Sequence, residues 1–384
     1  MIRFLAIPEH ESIKKRLTYI AQHSQVPHAQ LFWGPEGSAQ LTLALAFATY
    51  LNCQDRLSED ACGQCPSCLK MQKLIHPDVK FVFPTSATKQ ITGKEVVSNS
   101  FLKSWRSFVH EHPYGNASDW SYYAGSEHKQ LHIPREEARH ITQHVSLKPL
   151  EGAYKIVLIW LPEYLHHTAA NALLKVLEEP PPHTVFLLVS TIPERLPSTI
   201  RSRTQQVHVP AFTDEAIAHL LNQQHSLPQE QLAQVITLAN GNLNKALKLT
   251  GDTQGDDFSQ FKAWMRLCYT QDLTQLVAQA ESFQQLQKEG QRNFLVYALH
   301  MLREALLVRF TQRKLSRVTA EEQEFTERLG QSLAYGQIKA YSAWLNQACY
   351  YIGRNANPKI LFLDLSLKMA QAFQKREQKG AYTS

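Results

Sequence analysis

Short apolar runs alternate with helical patterns through the first half of this chain, and helix follows helix through the second. Leu31–Trp33, Val79–Phe83, Ile156–Trp160, Val185–Ser190 and Gln206–Val209 are apolar or β-branched runs of strand length. Helical patterns between several of them, the alanine- and leucine-rich stretch Leu41–Leu51 among them, predict a parallel sheet covered by helices. Pro210 starts a different pattern. Thr213-Asp214-Glu215 reads as an N-cap with acids in the first turn, and short helices are expected to about Leu249. Gly251–Asp257 is a glycine- and aspartate-rich linker. From residue 258 to about 375 the pattern is helix after helix, with apolar positions in helical register over Phe294–Val308 and Ile360–Met369. The fold class is α/β followed by all-α.

Residues 84 to about 132 interrupt the α/β pattern. The segment is polar and turn-rich, yet it carries Trp105, Phe108, Tyr114, Trp120, Tyr122 and Tyr123. It reads as an insertion that packs its aromatics on the surface of the domain. The competing reading, with Lys103 and Arg106 among the aromatics, is stacking on nucleic-acid bases.

Two phosphate-handling motifs are present as outlines without their reactive residues. Gly34-Pro35-Glu36-Gly37-Ser38-Ala39-Gln40-Leu41 follows a strand and opens a helix, the setting of a P-loop with template G-x-x-x-x-G-K-[ST]. Ala39 replaces the last glycine, Gln40 the lysine and Leu41 the hydroxyl residue. Lys155–Leu161 is an apolar strand whose end should carry a metal-holding Asp and a water-activating Glu; Trp160 and Leu161 stand there. Gly34 and Gly37 still let backbone N–H groups approach an anion at a helix N-terminus. Gln40 adds no positive charge, so nucleotide binding is expected to be weak or nil and ATP is not held productively.

The cysteines change the picture again. Cys268 and Cys349 stand alone in helical patterns and read as buried apolar residues. The others form Cys53-x8-Cys62-x2-Cys65-x2-Cys68. Four thiolates so spaced match a closed tetrahedral Zn²⁺ site, with Gly63 and Pro66 helping the chain turn. With every ligand from protein, such a metal is structural. Four cysteines can also hold an iron–sulfur cluster.

At 384 residues, 43% hydrophobic and 19% charged, the chain is globular and long enough for two or three domains. A net charge of +6 is compatible with work near nucleic acid. Met1–Pro8 is too short an apolar run for a signal sequence and breaks at proline. No apolar stretch reaches the roughly 20 residues of a membrane span, so a cytoplasmic location with no membrane partner is expected.

Four stretches, the cysteine module among them, resemble one family, the clamp-loader subunits of bacterial DNA polymerase III within the AAA+ class. They are Ala170-Asn171-Ala172-Leu173-Leu174-Lys175-x-Leu177-Glu178-Glu179-Pro180-Pro181, the Arg195–Thr204 segment with Thr204 in place of cysteine, the four-cysteine module, and Asn357-Pro358-Lys359 before a leucine-rich helix. The resemblance implies an AAA+-like α/β domain over 1–209, with a zinc module at about 53–70 and the insertion at about 84–132. A helical lid over 210–252 and a helical collar or oligomerisation domain over 256–384 follow. Within the family one subunit type keeps the ATPase machinery and another has lost it. Ala39, Gln40, Leu41, Trp160 and Leu161 point to the second, as does Asn244, which stands where ATPase members place a nucleotide-sensing arginine. The resemblance also implies that Arg203 acts in trans on a neighbour's γ-phosphate, with Arg201 two residues away. Its implied partners are the clamp-loader ATPase subunits, a delta subunit, the sliding clamp and primed DNA, contacted without sequence specificity. Two other readings stay open: an ATP-hydrolysing subunit of gamma or tau type with an unusual loop, and a zinc-dependent nucleic-acid-binding protein outside clamp loading.

Overall fold

Five strands form one parallel sheet in the order β2-β3-β4-β1-β5. They are β1 (Ala29–Trp33), β2 (Val79–Val82), β3 (Lys155–Trp160), β4 (Thr184–Ser190) and β5 (Gln205–His208). In this computed structural model residues 2–126, 129–224, 227–251, 257–311, 320–353 and 356–380 are described; most of the expected 251–257 linker lies outside them. Every residue of β3 and β4 is buried, as a strand covered on both faces by helices requires. In β5 only Val207 is buried, which suits a polar edge strand. Strands were expected at all five places, and their observed ends differ by one or two residues.

The helices of this α/β part are α1 (Glu11–Gln22), α2 (Gln40–Leu51), α3 (Pro66–Gln72), α4 (Leu102–Glu111), α5 (Ala117–Tyr123), α6 (Arg135–Val145), α7 (His167–Glu178), α8 (Ser198–Arg201) and α9 (Asp214–Gln224). Leu31, Val157, Ile159, Phe186 and Leu188 of the strands meet Ile141 of α6 and Leu173 and Leu177 of α7 in the core. Thr213 Oγ1 accepts from the Ala216 N–H at 3.2 Å, the cap its sequence predicts.

The insertion differs from its expectation. Its ends pair as an antiparallel bridge between Thr85 and His132, and between them lie two helices, α4 and α5. Trp105, Phe108 and Trp120 are fully buried, whereas Tyr122 is exposed. Trp105 stacks on Phe83 at 4.3 Å between centroids and meets Trp120 edge-on at 5.5 Å. These rings are core, so they are not free to stack on bases.

One buried ion pair ties β2 to β3. Asp78 accepts from the backbone N–H groups of Leu150, Glu151 and Gly152 at 2.7–2.8 Å and from Lys155 Nζ at 2.8 Å. Burial pushes its carboxyl upward, but the Lys155 ammonium and the three N–H donors override this and hold it well below the usual carboxylate range. A depressed pKa stabilises the fold at pH above the unfolded-state value near 3.9 and loses that contribution as pH falls below it. Asp78→Asn leaves Lys155 buried without its counter-charge and is expected to cost about 3–5 kcal/mol. Urea unfolding at pH 7 checks this, and the difference from wild type should shrink below pH 4.

The chain divides into two compact units, Met1–Leu220 with Gly241–Asn244, and Leu221–Asn240 with Lys245–Ser384. The second is helical: α10 (Gln229–Ala239), α11 (Leu243–Gly251) from Lys245 onward, α12 (Asp257–Thr270), α13 (Leu273–Gln285), α14 (Lys288–Thr311), α15 (Ala320–Ser332), α16 (Tyr335–Gly353) and α17 (Pro358–Gly380). The expected Phe294–Val308 and Ile360–Met369 segments lie inside α14 and α17. Trp264 is buried there, donating from Nε1 to Ser366 Oγ at 2.8 Å, and Phe283 stacks on Phe362 at 4.3 Å. Cys268 is buried as expected, but Cys349 is only half-buried. No helix among the described residues is long and apolar enough to cross a membrane.

Candidate functional site

Gly34 leaves β1 so close to β5 that a Cβ there would lie 1.9 Å from the Val209 carbonyl oxygen. Gly37 has φ +79°, and its Cβ would lie 1.9 Å from Asn242 Oδ1. The fold itself therefore uses both glycines, one for close approach and one for left-handed backbone. Ser38 Oγ and Gln40 Nε2 both donate to the Pro35 carbonyl, at 2.6 and 2.7 Å. Leu243 N–H donates to the Gly37 carbonyl at 3.1 Å. Where a P-loop lysine reaches toward phosphate, Gln40 folds back onto its own loop and is buried.

A cavity of about 170 Å³ remains at the C-terminal ends of β1, β3 and β4, walled by Gln40, Trp160, Thr191 and the Tyr114–Ser118 segment of the insertion. Ligand pockets commonly measure about 300–1,000 Å³, so this space is too small for a nucleotide. Its charged lining residues are Glu36 and Glu163; among the described residues no Lys, Arg or His lines it. Glu163, in the turn after β3, accepts from Thr191 N–H at 3.2 Å and Thr191 Oγ1 at 3.1 Å. Burial raises its pKa despite those bonds. Two carboxyl groups and no cation make a field unsuited to a triphosphate. Trp160 packs its ring 5.1 Å from Trp105 and 5.8 Å from Phe108. Asn244 donates to Asp119 Oδ2 at 2.7 Å. The residues present do not fit ATP.

The four cysteines do come together. Their sulfur atoms all lie within 4.8 Å of one another, with Cys53–Cys62 at 3.6 Å, Cys62–Cys68 at 3.9 Å and Cys53–Cys65 at 4.0 Å. A tetrahedral site with metal–sulfur bonds of about 2.3 Å has edges of about 3.8 Å, so the cluster can hold a metal ion. Gly63 takes the left-handed turn (φ +75°), and Pro66 begins α3 with Cys65 as its N-cap. N–H groups of Gln64 and Cys65 point at Cys62 Sγ at 3.5 and 3.3 Å. Burial pushes the Cys53 and Cys68 thiols up. At Cys65 the same effect is overridden by N–H donors from Cys68 and Gln54, and the thiol is pulled down to about 6. Crowded sulfurs cannot all ionise alone; a cation in their midst lets them.

Arg203 lies elsewhere, between α8 and β5. Its Nη2 is 2.6 Å from Glu178 Oε1 at the end of α7, and its Nη1 donates to the Thr199 carbonyl at 2.9 Å. About a third of the side chain, 35%, is exposed, beside a surface recess shared with His28, Leu177 and Glu178. No residue lines both this recess and the glycine-loop cavity. Thr204, in the cysteine's place, is buried and donates to the Arg201 carbonyl at 3.0 Å.

Sequence reasoning did not single out Glu163, Asn116 or Asp119, and it gave Glu178 no chemistry. Asn116-Ala117-Ser118-Asp119 carries the spacing of a capping box, which the structure forms. Glu178 opposes the dipole of α7, and a nearby cation was the expectation that discord should have raised.

Residues 9–213, more than half the chain, match the family model described as DNA polymerase III, delta subunit. Over 231 residues the chain is 29% identical to DNA polymerase III subunit tau of Salmonella typhimurium, covering 59% of this chain and 29% of that protein. Over 248 residues it is 30% identical to DNA polymerase III subunit delta' of Pseudomonas aeruginosa, covering 64% of this chain and 61% of that one. A DNA polymerase III, gamma subunit-related protein from Thermotoga maritima superposes with a TM-score of 0.39 at 13% identity, over 93% of this chain and 99% of that one. The chain thus spans less than two thirds of the length of the curated relatives it matches, 29% for the tau subunit and 61% for the delta' subunit.

Proposed function

The chain belongs to the DNA polymerase III, delta subunit family, and from that membership we propose that it serves as a non-ATPase clamp-loader subunit of the delta prime type. It braces the assembly and presents Arg203 to the nucleotide of an adjoining ATPase subunit. The observation that carries this reading is the glycine-loop cavity, lined by Glu36 and Glu163 with Gln40 turned away. A subunit that cannot hold a triphosphate contributes to hydrolysis only through a neighbour's site. The exposed part of Arg203 is the group suited to that, because a trans arginine offsets charge at a phosphoryl transition state.

The other parts take roles that fit. The four-cysteine centre holds a structural Zn²⁺. Residues 210–252 serve as the lid and 256–384 as the collar, where helix-on-helix burial joins subunits. The partners are the ATPase subunits, a delta subunit and the sliding clamp, with primed DNA met through its phosphates and shape.

Steady-state ATP hydrolysis by the purified chain tests the central claim, and none is expected. Turnover that Gln40→Ala abolishes would overturn it. Mixing the chain with clamp-loader ATPase and delta subunits should give one co-eluting complex that loads the clamp on primed DNA. Loading at full rate without this chain would sink the bracing role.

A further inference from the structure

We infer that the insertion's 113–119 segment is an intramolecular plug, occupying the place beside the glycine loop where a nucleotide would lie. Nucleotide is then excluded by the chain's own backbone as well as by the missing lysine. This holds whatever assembly the chain joins, since it concerns the first unit alone.

Four sets of contacts place the plug. Asn116 Nδ2 donates to Glu36 Oε1, in the middle of the glycine loop, at 2.6 Å. Asp119 Oδ2 accepts from Asn244 at 2.7 Å, so α5 also bonds to the start of α11. The same two plug residues brace each other: Asp119 N–H donates to Asn116 Oδ1 at 2.9 Å and Asn116 N–H to Asp119 Oδ2 at 3.0 Å. Tyr114 is buried, its ring edge-on to Phe212 at 5.5 Å.

Behind these straps sits the aromatic cluster. Trp120 is fully buried and donates from Nε1 to the Pro84 carbonyl at 2.7 Å. Trp105 and Phe108 rest on Trp160, which stands where an ATPase carries a metal-holding carboxylate. A carboxylate at that position would lie buried against two aromatic faces without a counter-charge, a costly arrangement. The replacement of that acid and the seating of the insertion are therefore one structural change. The plug also does a nucleotide's bridging work. A bound triphosphate would lie between the glycine loop and a sensing side chain at the position of Asn244; here Asn116 and Asp119 make that connection, to Glu36 and Asn244. The relation of the loop to Gly241–Asn244 is thereby fixed without ATP.

The test restores the loop and then releases the plug. Binding of a fluorescent ATP analogue with Mg²⁺ is measured for the wild-type chain, for Gln40→Lys/Leu41→Thr, and for that variant carrying Tyr114→Gly/Asn116→Gly/Asp119→Gly. The first two should show no saturable binding at millimolar probe. The third should bind at least about tenfold more tightly than the second, a difference of about 1.4 kcal/mol. Loop restoration alone giving the affinity of the third variant would overturn the plug while leaving the non-ATPase reading intact. So would no binding by the third variant when amide exchange shows its 113–119 segment released. A measurement on the wild-type chain guards against misfolded variants. Amides of 114–119 and of Gly37–Leu41 should exchange slowly and unchanged by millimolar ATP; fast exchange, or protection gained on adding ATP, would refute the plug.

Discussion

Stripping the metal from the cysteine centre, or changing Cys65→Ser, is expected to unfold residues 53–72 and free the N-terminal segment while the five-stranded sheet stays folded. A structural zinc is worth about 10–16 kcal/mol in apparent binding free energy, and in a site that small most of it is local folding free energy. Nothing in the module replaces it. The segment between α2 and α3 has no regular element, and its buried side chains are Asn52, Cys53, Asp60 and Ala61. Through Asp60 the loss should travel further, because that carboxylate accepts from the N–H groups of Phe4 and Leu5 at 3.1 and 2.9 Å. It should also reach the end of α1, where Gln22 Nε2 donates to the Ser58 carbonyl at 2.6 Å. The strands are held by other contacts, so β1 to β5 should keep their exchange protection. Elemental analysis should find one zinc per chain, and exchange should rise in the 2–7 and 53–72 segments on chelation. Protein that purifies brown with iron would replace zinc by a cluster. Thiols that titrate freely in the native state would remove the metal altogether.

What could be read from the sequence was what local pattern encodes. The strands were legible because a strand buried on both faces is a continuous apolar run, as in Lys155–Trp160 and Thr184–Ser190. The clustering of the four cysteines was legible because their spacing already brings the thiols together. The losses at Gln40 and Trp160 were legible as absences from a template. The insertion was not. Trp105, Phe108 and Val109 do follow helical spacing, but polar neighbours dilute the pattern, and their partners Phe83 and Trp160 lie far away in sequence. Its aromatics were therefore placed on the surface, whereas the structure buries them beside the very loop whose motif is broken. Glu178 was opaque for a similar reason. It ends a helix before prolines, and its partner Arg203 arrives only after a whole strand and a short helix. Long-range pairing decides the role of such residues, and a local pattern carries no trace of it.

Arg203→Ala should leave the chain folded and able to assemble, yet slow ATP hydrolysis by the reconstituted clamp loader in the presence of clamp and primed DNA. The stability effect should be small because the ion pair with Glu178 is partly exposed on both sides, 35% and 48%. Pairs of that kind contribute about 0–1 kcal/mol. The kinetic effect has a different origin. A trans arginine contributes about 10³–10⁵ in rate at the site it serves, but this chain would serve one site among several. The assembly should therefore lose a fraction of its turnover, with the loss confined to one neighbour. Arg203→Lys should not restore it, since an ammonium cannot make the planar two-pronged contact with phosphate oxygens. Arg201 is exposed on α8, and Arg201→Ala should behave as wild type. In the isolated chain the guanidinium is held by Glu178 and the Thr199 carbonyl, so Glu178→Ala offers a second reading of the same group. If Glu178 aims the arginine, its removal should lower turnover less than Arg203→Ala does, and the double variant should be no worse than Arg203→Ala alone. The measurement is steady-state hydrolysis by assemblies of equal composition. Impairment by Arg201→Ala with Arg203→Ala unaffected would shift the assignment by two residues. No effect from either would leave this subunit a brace alone.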